Sequence, residues 1–514
     1  MVFSFIIKAA GLQAPRPFFV LEETLKIETS LSEFRDMAQG GNLIPVSSEF
    51  LADTETPVST YLKIRNQSFS YLLESADGGK IWGRYSFIGY MPRVTVIARE
   101  HEVEIREGED SRIVKDVSNP LDVLRELSGQ FKPALSPNLP PFQGGFVGYV
   151  NYDLVGKWES LPSNAPENAD DPICIFTFCS RLIIFDHLTH HIAVVAYAFL
   201  DGADDLETAY AHARDEVNET VHQLKQPLPS VTEEGALTLT ELKSNFTQKD
   251  FEEAVQKAKD YIVAGDAIQV VLSQRFCGEV SGDDFSLYRN LRSINPSPYM
   301  FYLNFGSTRL IGASPEILAR LTNGRIEVRP IAGTRPRGKT AKEDQALEEE
   351  LLADPKERAE HIMLVDLGRN DVGKAALPGS VSVPRLMEVE RYSHVMHIVS
   401  RVEGSLKDDM DAFGLFMATF PAGTVSGAPK IRAMEIISEL EPSQRGPYAG
   451  AVGYFGFNGN MDFCITIRTI SIKDNRLSIQ VGAGIVADSS PEKEYEETMR
   501  KGDAMFKAIE AAGQ

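Results

Sequence analysis

Two pairs of acidic residues three positions apart are the first chemistry this chain offers. Glu357 and Glu360 form one pair, and Glu494 and Glu497 repeat the spacing near the other end of the sequence. On a helix, that spacing projects both carboxylates from one face. A single pair of this kind reads best as solvated surface. Two of them beside glycine-rich segments make a magnesium site plausible, because Mg²⁺ takes a few carboxylates together with water and substrate oxygens. His361, Asp366 and Asp371 adjoin the first pair and could orient it. Lys501, four residues beyond Glu497, can pair with it or face an anionic ligand.

Other single residues carry a chemical and a plain reading side by side. Arg468 sits in the apolar run Cys464-Ile-Thr-Ile-Arg468, where a strand is expected. A guanidinium buried there needs an anion, and its fork suits a carboxylate. His397 also lies in an apolar run, where a lone histidine is more often a satisfied core residue than a catalyst. Glu316 follows the turn Gly312-Ala-Ser-Pro and reads equally as a general acid or a turn carboxylate. Gly423-Thr-Val-Ser-Gly427-Ala-Pro-Lys430 imitates a phosphate loop, but its spacing is wrong and no Ser or Thr follows the lysine. Gly482-Ala483-Gly484 imitates a dinucleotide fingerprint, yet too little chain follows it to complete a βαβ unit. Neither is a nucleotide motif, although N–H groups beside glycine can hold a carboxylate.

The elements that must position these groups alternate in the second half of the chain. Thr247 can cap a helix whose apolar residues Phe251, Val255, Ala258 and Ile262 keep helical spacing until Gly265. Strands are expected over 267–272, 395–402 and 477–481, and helices over 344–352, from Pro355 to Leu367, and over 492–511. Pro429 is expected as the first residue of a further helix. Residues 50–199 read mainly as β, with a charged helix over 204–225. The composition of 226–235 is that of a linker. The organisation expected is an extension over 1–40, an N-terminal region over 41–230 and a catalytic region over 231–514. Pattern alone gives mixed α/β or α+β.

Composition narrows the function classes. Lys and Arg total 52 against 73 Asp and Glu, a formal net charge of −21 that argues against nucleic acid and anionic membranes as partners. An anionic substrate must then be met by a few local cations. Four cysteines, Cys174, Cys179, Cys277 and Cys464, form neither a disulfide framework nor a CxxC zinc pattern, so a reducing, cytoplasmic setting is expected. Lys8 interrupts the apolar N-terminus and no basic residue precedes it, so no signal peptide is expected. No run of about 18 apolar residues occurs, so no membrane-spanning helix is expected.

Taken in order, four segments resemble the chorismate-utilising enzymes: Pro330-Ile-Ala-Gly-Thr-Arg-Pro-Arg-Gly338, Glu360-His-Ile-Met-Leu-Val-Asp-Leu-Gly-Arg-Asn-Asp371, Phe420-Pro-Ala-Gly-Thr-Val-Ser-Gly-Ala-Pro-Lys430 and Val481-Gly-Ala-Gly484. The match runs from about Thr247 to the C-terminus. Tyr71-Leu-Leu-Glu-Ser75 and Gly83-Arg-Tyr-Ser-Phe-Ile-Gly89 are similar to the N-terminal half of the anthranilate synthase component I family. The resemblance implies an α+β fold of two packed antiparallel β-sheets in a sandwich flanked by helices. It implies Mg²⁺-dependent conversion of chorismate and ammonia to anthranilate and pyruvate, by way of aminodeoxyisochorismate.

Residue by residue, the resemblance places Glu360 and Glu497 on the metal, with Glu357 and Glu494 as possible partners around it. Gly333, Thr334, Tyr448, Arg468, Gly482, Ala483, Gly484 and Lys501 match substrate-binding positions. Glu316 matches the general acid for the departing hydroxyl, a role that requires a raised pKa. His397 matches the histidine linked to pyruvate elimination. Gln269 stands where water-using relatives carry a lysine base, and Ala332 stands where aminodeoxychorismate synthases carry a nucleophilic lysine. Both fit amination to anthranilate.

No cysteine lies in the GxCxGxQ context of a glutaminase, so ammonia is expected from a separate glutamine amidotransferase subunit. L-tryptophan is implied as a feedback inhibitor, held by Ser75 and by Pro298, Tyr299 and Met300. The alternatives are an aminodeoxyisochorismate synthase that stops before pyruvate elimination, and a catalytically silent amino-acid-binding regulator.

Overall fold

A computed structural model describes residues 27–513, apart from 66, 76–82, 137–138, 163–169, 201–204, 230–234 and 393–394. The fold is α+β, and every ladder between its named strands is antiparallel. Those strands form one hydrogen-bonded network. Segments on either side of residue 230 share ladders. Ser70–Glu74 pairs with Tyr299–Phe305, and Gly145–Val150 pairs with Ala451–Gly456. Of the linker-like stretch 226–235, residues 230–234 lie outside the described residues.

Alternation along the strands divides the apolar side chains between two cores. Tyr71, Phe301 and Leu303 enter a core shared by many strands, whereas Leu72, Met300 and Tyr302 enter a second one. Helices cover that second core. They contribute Phe34 from Leu31–Ala38, Val217 from Leu206–Leu224, Leu291 from Phe285–Ile294 and Met505 from Pro491–Ala512. The short helix Leu31–Ala38 falls inside the stretch expected as an extension. A reciprocal Ser30–Glu33 capping box starts it.

The expected helices and strands appear, most of them longer than their sequence patterns. Thr247 caps Gln248–Ala264, and Gly265 ends it with φ 90°. The segment from Pro355 continues to Ala375, and the strand expected to end at Val481 runs to Ile485, taking in Gly482–Gly484. Pro429 is the residue that precedes the helix Lys430–Leu440, rather than its first residue. All four cysteines are free, and no helix among the described residues is long and apolar enough to cross a membrane.

Candidate active site

The first acidic pair is set by the N-terminus of Pro355–Ala375. Asp354 accepts hydrogen bonds from the N–H groups of Lys356 at 2.9 Å and Glu357 at 3.3 Å. Proline as the first helical residue needs no N–H partner. Glu357 is already ion-paired, because Arg335 donates to it at 3.1 Å while also reaching Glu350 and Asp354. Glu360 lacks such a partner among the described residues. Burial pushes its pKa up, and the nearby carboxylates of Glu357 and Glu497 push in the same direction. Glu494 is raised by burial and by Glu497. The two helices therefore bring both acidic pairs into one electrostatic neighbourhood, with Lys356 and Lys501 as the opposing cations.

Lys501 ties that neighbourhood to the glycine segment. Its Nζ lies 2.8 Å from Glu497 and donates to the Gly482 carbonyl at 3.1 Å. Gly482 and Gly484 occupy one face of their strand. A side chain at Gly482 would meet the Tyr448 hydroxyl at 2.4 Å, and one at Gly484 would meet the Gln269 amide at 2.4 Å. Glycine is needed there because the neighbouring polar groups approach the backbone itself. Ala483 faces the other way, into a core with Val255 and Ile436, and so offers only its backbone to a ligand. Burial pushes the Tyr448 phenol up to about 12, although the Arg445 guanidinium pulls it down.

The acid, the arginine and the histidine complete the surroundings. Glu316 is 8% exposed, and burial pushes its carboxyl up to about 7 against the pull of Thr424, Arg468 and Lys501. Its backbone is clamped: Ile465 N–H donates to the Glu316 carbonyl at 3.0 Å. Arg468 lies in the link between Met461–Ile465 and Thr469–Lys473, not in a strand, and adopts a left-handed φ of 49°. Its guanidinium makes no hydrogen bond or ion pair among the described residues. Burial lowers its pKa, and Glu316 is the charge that opposes this. His397 pairs in register with Thr334, and its Nδ1 lies 3.0 Å from the Gly333 carbonyl and 3.1 Å from the Thr334 hydroxyl. Donation from Nδ1 to the carbonyl leaves Nε2 with a free lone pair. Burial lowers this imidazole's pKa, which favours the neutral ring. Gly333 makes the contact possible with φ 74° at an irregularity in the ladder.

The three groups expected to orient the first acidic pair do other work. His361 is fully buried and its Nε2 lies 2.6 Å from the Ser400 hydroxyl. Asp366 pairs with Arg369 on the surface, and Asp371 receives Lys430 at 2.7 Å. Lys430, which ends the phosphate-loop imitation, is thus engaged by that buried carboxylate. Arg335 and Thr424 were missed by sequence reasoning. The signal for Arg335 was a cation directly after Gly333-Thr334, and for Thr424 a hydroxyl inside the glycine loop.

The two segments matched to tryptophan binding are neighbours. Met300 lies opposite Glu74 across the ladder, which brings Ser75 beside Pro298 and the start of the strand Tyr299–Phe305. The Ser75 hydroxyl and the Asn295 amide nitrogen are buried without a hydrogen-bond partner among the described residues. Tyr299 turns its hydroxyl away to Asp462 at 2.9 Å, so on this side it offers its backbone.

With that geometry in place, comparison with known proteins assigns the family. The model for the chorismate binding enzyme family matches residues 70–507. The chain belongs to that family. The match reaches well before Thr247, from which the sequence resembles the chorismate-utilising enzymes, and takes in Tyr71–Ser75 and Gly83–Gly89. The chain is 48% identical over 492 residues to anthranilate synthase component 1 of Acetivibrio thermocellus, covering 94% of this chain and 99% of that one. It is 49% identical over 508 residues to the protein of the same name from Synechocystis, covering 94% and 99%. Among solved structures, anthranilate synthase component I from Streptococcus pneumoniae superposes with a TM-score of 0.74 at 39% identity, over 83% of this chain and 93% of that chain. The menaquinone-specific isochorismate synthase from Escherichia coli shares the fold, with a TM-score of 0.67 at 19% identity over 94% and 99%. In this family member Lys501 ties the helix of the second acidic pair to the strand that carries Gly482.

Proposed function

We propose that this chain is the chorismate-converting component of an anthranilate synthase, carrying out the first committed step of tryptophan biosynthesis. The observation that carries the reading is the buried Glu316 carboxyl, held near neutrality and facing Arg468 and Lys501. An acid that is still protonated near pH 7, beside two cations, suits a dianionic substrate whose hydroxyl must leave as water.

The all-oxygen donors of these glutamates suit a hard divalent cation, although no three of them converge on one point among the described residues. Burial and neighbouring carboxylates raise Glu360 and Glu494 against the pull of Lys356 and Lys501. Glu360 and Glu497 would hold Mg²⁺, with Glu357 and Glu494 around it. When bound, the ion supplies positive charge for a substrate carboxylate and for charge developing at the departing hydroxyl. Arg468 and the Tyr448 hydroxyl orient the remaining carboxylate, together with the Gly482–Gly484 backbone. Glu316 gives its proton to the leaving hydroxyl as ammonia bonds to the ring. The free Nε2 of His397 accepts the ring proton as pyruvate departs and the ring becomes aromatic.

Ammonia is supplied by a separate glutamine amidotransferase subunit, and L-tryptophan inhibits through Ser75 and the segment Pro298–Met300. The buried, unpartnered Ser75 and Asn295 polar atoms support that regulatory reading. The cytoplasm, where the thiols stay reduced, is the compartment this chemistry fits. Incubating the chain with chorismate, Mg²⁺ and ammonium and identifying the product tests the proposal. Anthranilate is expected. Accumulation of aminodeoxyisochorismate would assign the shorter reaction, and no chorismate consumption would leave a silent regulator.

A further inference from the structure

Arg445 has the largest fully buried side chain among the described residues, at 2% exposure. Its guanidinium forks onto Glu441, with Nε to Oε2 at 2.9 Å and Nη2 to Oε1 at 2.6 Å. The remaining donors do not serve a second acid. Nη1 donates to the Val425 carbonyl and Nη2 to the Val271 carbonyl, both at 2.7 Å. The rings of Tyr152 and Tyr448 lie 4.6 and 5.6 Å from its central carbon. Glu441 in turn accepts the Ser273 N–H and hydroxyl, each at 2.8 Å, and Ser273 stands opposite Gly482 in the ladder.

Three of these partners adjoin residues of the site. Val425 follows Thr424, which faces Glu316; Val271 lies opposite Gly484; Tyr448 presses its hydroxyl onto Gly482. Three separate segments that border the site are therefore tied to one ion pair. Stability alone is a poor reason for such a pair, since replacing buried ions with uncharged groups is often neutral or stabilising. A rigid planar fork that satisfies four acceptor sites at fixed angles is well suited to setting geometry.

We propose that the Arg445–Glu441 pair is a positioning device for chorismate, fixing Tyr448, Gly482 and the Thr424 loop relative to one another without touching substrate. The proposal rests on the anthranilate synthase reading above. The wild-type assay tests that reading, and the variants test only the device.

Arg445→Met combined with Glu441→Gln removes both charges together and keeps an amide oxygen for the Ser273 N–H. The expected result is a chain with wild-type circular dichroism whose kcat/KM for chorismate falls at least about ten-fold, with KM for chorismate raised and KM for ammonia unchanged. A folded double variant with a smaller loss, or with both KM values altered alike, overturns the proposal. Arg445→Lys keeps the charge but loses the fork, and the same ten-fold criterion applies to it if the double variant does not fold. Failure of both variants to fold would make the pair a fold determinant and also overturn the positioning role.

Discussion

Tyr299 stands directly opposite Ser314 in the ladder between Tyr299–Phe305 and Thr308–Ser314, two residues short of Glu316. The Ser314 hydroxyl donates to the Ile465 carbonyl at 2.6 Å, and Ile465 N–H clamps the Glu316 backbone. One strand end therefore adjoins both the proposed tryptophan segment and the proposed acid. Met300→Thr and Ser75→Leu should each raise the tryptophan concentration needed for half-inhibition about ten-fold or more, a loss of about 1.4 kcal/mol. Activity without tryptophan should be largely kept. Equilibrium binding should show chorismate and tryptophan weakening each other by the same factor. Unchanged inhibition in both variants would remove these residues from the regulatory site.

Glu360→Gln and Glu497→Gln each remove a charged oxygen from the proposed metal site while keeping side-chain shape. Magnesium-dependent turnover should fall on the order of 100-fold in each, with unchanged circular dichroism. Isothermal titration with Mg²⁺ in the presence of chorismate should show weakened binding. Wild-type turnover in either variant would place the metal elsewhere.

The acid–base behaviour follows from the sign of the Glu316 shift. Burial raises this carboxyl, so its proton is held below about pH 7 and lost as pH rises through that value. The required acid form is thus present on the acidic side. At constant free ammonia, kcat/KM for chorismate should decline above about pH 7. Glu316→Gln should remove that limb and lower activity about 100-fold or more. A pH profile that keeps the same alkaline limb in Glu316→Gln would assign it to another group.

Nitrogen supply offers a separate check. The purified chain should form anthranilate from ammonium and fail with glutamine alone, and adding a glutaminase subunit should restore glutamine use. Glutamine-dependent synthesis by the single chain would reveal an amidotransferase site within it.

Local signals made part of this molecule legible. The cap at Thr247 and the stop at Gly265 delimit a helix because they satisfy its free backbone groups without help from distant residues. Both acidic pairs lie on helices, as their spacing requires. Arg468 shows where such reasoning fails. Its apolar neighbours continue a strand pattern, yet the chain leaves the strand after Ile465 and turns through a left-handed residue. The Arg335–Glu357 ion pair joins two elements, so no spacing within either one announces it. Strand order was the least legible feature, because partners such as Ser70–Glu74 and Tyr299–Phe305 lie more than 200 residues apart.

Those long-range ladders bear on how the chain can be divided. A fragment cut near residue 230 would expose the edge of Tyr299–Phe305 and the edge of Ala451–Gly456, each with a row of backbone N–H and C=O groups lacking partners. Such edges template aggregation when left open. The missing edges reside in the other fragment, as Ser70–Glu74 and Gly145–Val150. Neither half is a self-sufficient module, and each is the natural solubilising partner of the other. Separately encoded halves should survive only when made together, with reassembly in trans as the route back to an intact site.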